Sequence, residues 1–191
     1  MKKLILASAS PRRQDLMNQI GLPFRVMVSN VSEDITQELL PEDLVEKLAI
    51  LKARDVAKDI KEGIVIGADT IVVNKGNVLG KPSSPKQAVE MLEQLSSTTH
   101  QVITGVAVIE KESGKEVVFH ETTQVSFKEL TTGQIDRYVA TGEPLDKAGA
   151  YAIQGLGAIM VEGIQGCYFN VVGLPLARLA KELKKLGVEV L

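Results

Sequence analysis

Cysteine is nearly missing from this chain: Cys167 is the single thiol among 191 residues. A disulfide framework is thereby excluded, and so is a metal centre built from thiolates. Histidine is almost as scarce. His100 and His120 fall in separate elements without the spacing of a zinc site, so both read as packing or solvated residues. No apolar run is long enough to span a bilayer and no basic, apolar leader opens the sequence, so the chain reads as a cytoplasmic protein with no membrane partner. An excess of one charge is lacking too. The formal net charge of -2 argues against nucleic acid as a partner and leaves room for a small cluster of cations around a small ligand. Repeats, charge blocks and low-complexity linkers are absent. What is present is ordinary: 45% hydrophobic and 24% charged residues, enough for a sizeable core, in a length that suits one domain over residues 1–191.

Chemistry gathers first at Gly67-Ala68-Asp69-Thr70. This stretch is expected to end one strand, Ile64-Val65-Ile66, and to open another, Ile71-Val72-Val73, so that Asp69 is a carboxylate where two strands meet. Strands rich in β-branched residues pack on both faces, and a small Gly-Ala step lets a ligand or a neighbouring backbone come close. Two readings stand: a functional acid at a strand end, where ligands of α/β sheets gather, or an Asp-initiated turn.

Near the N-terminus, Lys3 to Ala7 reads as a short strand that stops at Ser8-Ala9-Ser10-Pro11-Arg12-Arg13, after which Leu16, Met17 and Ile20 have helical spacing. Ser10 suits the N-cap and Pro11 the first helical position, which puts Arg12 and Arg13 in the first turn. The helix dipole disfavours cations there. Backbone amides, two serine hydroxyls and two guanidinium groups together suit a bound polyphosphate. Phe24 to Ser29 reads as a second strand leading to Glu33 and Asp34, a metal ligand or a polar loop. From Pro41 a helix carries the stripe Leu44, Val45, Leu48, Leu51 and Val56, with Lys52 at its edge, pointing toward the strand ends.

Asn74-Lys75-Gly76-Asn77 is a turn signal, so Ile71 to Leu79 is expected to form a hairpin that delivers Gly80-Lys81-Pro82 beside Asp69. Ser84-Pro85-Lys86-Gln87 has the pattern of a capped helix start, with Ala88, Met91, Leu92 and Leu95 on an inward face. Gln101 to Ile109 and Val117 to Phe127 read as paired strands turned at Gly114. Ile135 and Tyr138 mark a short helix ending near Gly142. Glu143 to Gly155 then has no clear period, and a long aperiodic stretch in a compact domain is usually functional, here suited to a base-recognition pocket. Gly157 to Val161 and Val171-Val172 read as strands, and Pro175 to Leu186 as a closing amphipathic helix.

These residues carry a resemblance. The chain resembles the Maf family of nucleotide pyrophosphatases, whose fold is related to that of the house-cleaning inosine triphosphatases. The resemblance rests on Leu6 to Arg13, on Gly67-Ala68-Asp69-Thr70, on Gly80-Lys81-Pro82, on Glu143 to Tyr151 with Ile153-Gln154-Gly155, and on Val172-Gly173-Leu174-Pro175-Leu176. It implies an α/β fold: a mixed, twisted sheet flanked by helices, with two lobes around a cleft. It implies hydrolysis of a nucleoside triphosphate, dTTP or UTP and modified pyrimidine nucleotides among the candidates, to the monophosphate and pyrophosphate. Asp69 would be the catalytic proton acceptor and a metal ligand. Arg12, Thr70 and Gln154 would set substrate choice, and Ser8, Ser10, Arg13, Lys52 and Lys81 would surround the phosphates. Glu33 would be a second acid at the Mg²⁺ or Mn²⁺ ion, with Asp34 as the alternative. A homodimer is compatible with all of this. The family's link to septum formation in bacteria keeps open a competing class, a nucleotide-binding regulator without turnover. A phosphatase that removes the terminal phosphate is a third reading.

Overall fold

The computed structural model describes residues 2–32 and 39–191. Among them, strands β1 (Leu4–Leu6), β2 (Phe24–Val26), β3 (Ile64–Asn74), β4 (Asn77–Leu79), β5 (Thr99–Glu110), β6 (Lys115–Phe127) and β7 (Val161–Gln165) form one mixed sheet in the order β2-β1-β3-β5-β6-β7, with β4 paired to β3. β1 runs parallel to β2 and β3, whereas β3–β4 and β6–β7 are antiparallel. The helices are α1 (Pro11–Gln19), α2 (Pro41–Lys58), α3 (Pro85–Leu95), α4 (Thr132–Ala140), α5 (Tyr168–Val172) and α6 (Leu176–Lys185). No described helix is long and apolar enough to cross a membrane.

The chain divides into two compact units, each discontinuous in sequence. The first comprises Met1–Asp69, Thr104–Glu121 and Gly173–Leu191; the second comprises Thr70–Ile103 and Thr122–Val172. In the first unit, an apolar cluster of Ile5, Ala7, Ala49, Ala53, Val56, Ala57, Val65, Ala107 and Ile109 joins α2 to the strands. Its innermost helical residues are alanines four apart. Their small side chains let the α2 backbone come down onto glycines: a Cβ on Gly67 would strike the Ala49 carbonyl oxygen and sit 2.9 Å from the Ala53 nitrogen, and one on Gly105 would strike the Val45 carbonyl. In the second unit, α3 and α4 cover a core that includes Leu92, Leu95, Val125, Ile135 and Met160. His100, Phe127 and Tyr151 stack edge to face at its heart, with His100 Nε2 and the Tyr151 hydroxyl 2.8 Å apart. The helix ends behave as their sequences direct. Ser84 caps α3 by accepting from the Gln87 amide, and Thr131 with Gln134 forms a reciprocal capping box on α4.

Three sequence expectations are corrected. β3 is one continuous strand through Gly67-Ala68-Asp69-Thr70, so Asp69 lies inside a strand and is not a turn residue. Gly67 is there because α2 packs on it, and a glycine required by close approach has the same signature as one that breaks a strand. Gly157 to Val161 is not a strand: a 3₁₀ segment spans Gly155–Met160 and β7 begins at Val161. Val171-Val172 belongs to α5, where buried Asn170 anchors the helix by donating to the Val102 carbonyl at 3.0 Å and to Thr123 Oγ1 at 2.9 Å. That side-chain anchoring overrides the strand preference of the valines.

Candidate active site

The first unit holds the candidates Ser8, Ser10, Arg12, Arg13, Lys52 and Asp69. The loop after β1 places Ser8, which is buried, so that its Oγ accepts from the Ser10 amide at 3.3 Å and from Arg13 Nη1 at 3.2 Å. Arg13 also donates from Nε to the Gly173 carbonyl at 2.8 Å, so its guanidinium is held from two sides. Ser10 is the N-cap of α1, followed by Pro11 at the first position, but its side chain makes no capping bond and no acid lies in the first turn. Arg12 and Arg13 stand at the positive end of the helix, where the dipole and the first backbone amides favour an anion.

Asp69 points into this unit from the middle of β3. Lys52 Nζ, carried on α2, donates to Asp69 Oδ1 at 2.6 Å, and the two side chains keep only 11% and 12% of their surface exposed. A charge pair this sheltered gives up much of its hydration, and such pairs contribute little net stability relative to apolar packing. Lys52 thus reaches a carboxylate in the middle of β3 and not at a strand end.

The second unit carries the other sequence candidates. Thr70, next in the chain after Asp69, is half-buried, and Lys81 is exposed after β4. The Lys81 loop is fixed through Gly80, whose carbonyl accepts from the Gly149 amide at 3.0 Å. Gln154 is half-buried in extended conformation at the head of the 3₁₀ segment Gly155–Met160 and makes no side-chain bond to cap it. Glu33 and Asp34 lie outside the described residues. His100 is buried and His120 pairs with Glu46 at 2.8 Å, each on a different element as anticipated.

The donor chemistry fits a small hard cation. Mg²⁺ uses one or two carboxylates and takes its remaining ligands from water and substrate phosphates, and Asp69 offers a sheltered carboxylate of that kind. Among the described residues no group of three or more His, Cys, Asp or Glu side chains gathers to hold a metal ion, at this site or away from it.

Comparison with known proteins places the chain. The family model described as "Maf-like protein" matches residues 3–186, and the chain belongs to that family. Curated relatives cover its whole length. A dTTP/UTP pyrophosphatase of Pelotomaculum thermopropionicum is 55% identical over 191 residues, covering 100% of both chains. One of Desulforamulus reducens is 53% identical over 190 residues, covering 100% of both, and one of Moorella thermoacetica is 55% identical over 190 residues, covering 100% of this chain and 98% of the relative. Among solved structures, the Ham1 protein of Staphylococcus aureus is similar over 66% of this chain and 72% of its own, with 19% identity and a TM-score of 0.47.

One set of residues escaped the sequence reading. Tyr138 and Glu143 bind the backbone on both sides of Gln154, through the Ala152, Leu156 and Gly157 amides. The available signal was an acid before a proline in an aperiodic stretch, which marks a special loop without naming what it holds.

Proposed function

We propose that this protein hydrolyses dTTP and UTP between the α- and β-phosphates, yielding the nucleoside monophosphate and pyrophosphate, as a house-cleaning nucleotide pyrophosphatase. The observation that carries this reading is the sheltered Lys52–Asp69 pair, in the same compact unit as a serine- and arginine-rich helix start, in a chain similar along its full length to proteins named dTTP/UTP pyrophosphatase.

The chemistry asks for a water made nucleophilic near neutral pH and for cations on the departing pyrophosphate. Asp69 accepts the proton of the attacking water, and strand β3 holds its carboxylate rigidly. Lys52 restrains Oδ1 and places positive charge where negative charge builds up. Ser8, Ser10, Arg13 and Lys81 bind phosphate oxygens, Arg13 offering a planar fork matched to them. Arg12, Thr70 and Gln154 select the nucleotide. Asp69, with Glu33, would hold the Mg²⁺ or Mn²⁺ ion, which when bound with nucleotide neutralises phosphate charge. Water adds to the α-phosphorus, the bridging bond to the β-phosphate breaks, and the proton released from water passes to Asp69.

Identifying the products of a single dTTP incubation tests this. The expected pair is dTMP and pyrophosphate. Formation of dTDP and phosphate would mean cleavage of the terminal phosphate, and tight binding with no product would mean a nucleotide-binding regulator.

A further inference from the structure

Gln154 sits at the N-cap of a 3₁₀ segment and yet makes no capping bond with its side chain. The first amides of a helical turn need acceptors, and an N-cap side chain usually supplies one. Here the acceptor comes from elsewhere in the chain. Glu143 Oε2 accepts from the Leu156 amide at 3.1 Å, and Glu143 Oε1 accepts from the Gly157 amide at 3.1 Å. Tyr138, on α4, donates its hydroxyl to Glu143 Oε1 at 3.0 Å, and the same hydroxyl oxygen accepts from the Ala152 amide at 3.2 Å. One carboxylate and one phenol thus bind the backbone on both sides of Gln154.

The chain is shaped to admit this clamp. Gly155 has φ +67°, and a Cβ there would lie 2.7 Å from Glu143 Oε2; a Cβ on Gly157 would lie 2.7 Å from the Tyr138 oxygen. Both glycines keep the carboxylate and phenol in contact with the main chain. Glu143 starts a 3₁₀ turn after Gly142, which has φ 76°, and α4 is anchored by its capping box with Tyr138 buried. Burial by itself would push the Glu143 carboxyl up, but the Leu156 and Gly157 amides, the Tyr138 hydroxyl and nearby Lys147 together hold it below the usual carboxylate range. Glu143 is therefore ionised near neutral pH.

We infer that Glu143 is a positioning residue for substrate selection: by capping the Gly155–Met160 turn in place of Gln154, it leaves the Gln154 amide to read the nucleotide base and fixes where that amide points. The inference rests on the assignment of Gln154 to base recognition. A glutamine amide can donate to a carbonyl oxygen of thymine or uracil and accept from N3–H together, a match that depends on sub-ångström placement. Without the carboxylate, the Leu156 and Gly157 amides lose their acceptor, and the Gln154 side chain, at the N-cap position, is left to compete for them. The amide would then be drawn from the base to the backbone.

The experiment compares kcat/KM for dTTP with that for dGTP in the wild type, Glu143→Ala, Glu143→Gln, Gln154→Ala and the Glu143→Ala/Gln154→Ala double variant, each checked by circular dichroism. Gln154→Ala should lower the preference for dTTP by about tenfold to a hundredfold. Glu143→Ala should lower it comparably, chiefly through KM, and the double variant should be no less selective than Gln154→Ala alone. Glu143→Gln keeps one carbonyl oxygen for the Tyr138 and Gly157 donors and should recover part of the preference; if Glu143→Ala does not fold, this variant alone decides, with a partial loss expected. Selectivity lost in Gln154→Ala but kept in both Glu143 variants overturns the positioning role and leaves Gln154 as the reader. Selectivity unchanged in Gln154→Ala removes the base-reading assignment and the role of Glu143 with it.

Discussion

A buried carboxylate with a single lysine on one oxygen invites the most direct test at the residue scale. Asp69→Asn keeps the shape and an acceptor for Lys52 but cannot take a proton from water. Turnover of dTTP should fall by about 10²-fold or more while nucleotide affinity stays within a few fold, measured by product release and by calorimetry on the same preparation. Loss of binding and of fold together would make Asp69 structural. A second residue contributes to acid sensitivity. Burial lowers the pKa of His100 to about 4 from an ordinary value of 6.5. The unfolded chain binds a proton below pH 6.5 that the folded protein refuses until about pH 4. Stability is therefore full above pH 6.5 and declines through that window, by on the order of 3 kcal/mol for this group. Urea midpoints taken from pH 7.5 to 4.5 should fall more steeply in the wild type than in His100→Phe, and parallel curves would contradict the assignment. Asp69, Lys52 and the Ser8–Arg13 loop were picked out in the sequence because charged and hydroxyl side chains stand out among small and apolar neighbours, although Asp69 was expected where two strands meet and lies inside one. Glu143 was not, since its partners are backbone amides 13 and 14 residues further on, and amides are the same in every sequence.

Elements were legible where a period ran long enough and failed where a contact with another element decided the matter. The α2 stripe was read from its large side chains, yet the residues closest to the sheet are Ala49 and Ala53, which barely register as hydrophobic. For the same reason β3 looked like two strands: the alanine face on the helix and Gly67 on the strand explain each other, and neither explains itself. Gly67→Ala should therefore cost about 3 kcal/mol or more, because the added methyl meets backbone that cannot turn aside. Denaturant unfolding gives the loss directly. As α2 is pushed outward, Lys52 should withdraw from Asp69, so kcat measured well below the melting temperature should drop as well. A stable, fully active Gly67→Ala protein would mean that the helix seating has no bearing on the site.

For the molecule as a whole, the described cores of the two units are apolar and contain no group of three or more potential ligands. The cation is thus expected to serve the substrate and not the fold. Chelation should abolish turnover and leave the melting temperature of the nucleotide-free protein unchanged, and Mg²⁺ or Mn²⁺ should restore activity; a melting point that falls with chelator would assign the ion a structural place instead. The contact of α2 with Gly67 has one more result, and it concerns how the enzyme fails. Proteins open piecemeal, and segments with many sheltered main-chain bonds open last. The acid rides on a strand with ten of its eleven residues buried, and the lysine rides on the helix pressed against it. Small fluctuations have no route to part them. Ageing or warming should leave each molecule either fully competent or entirely unfolded, so a tired population would contain fewer working enzymes rather than slower ones.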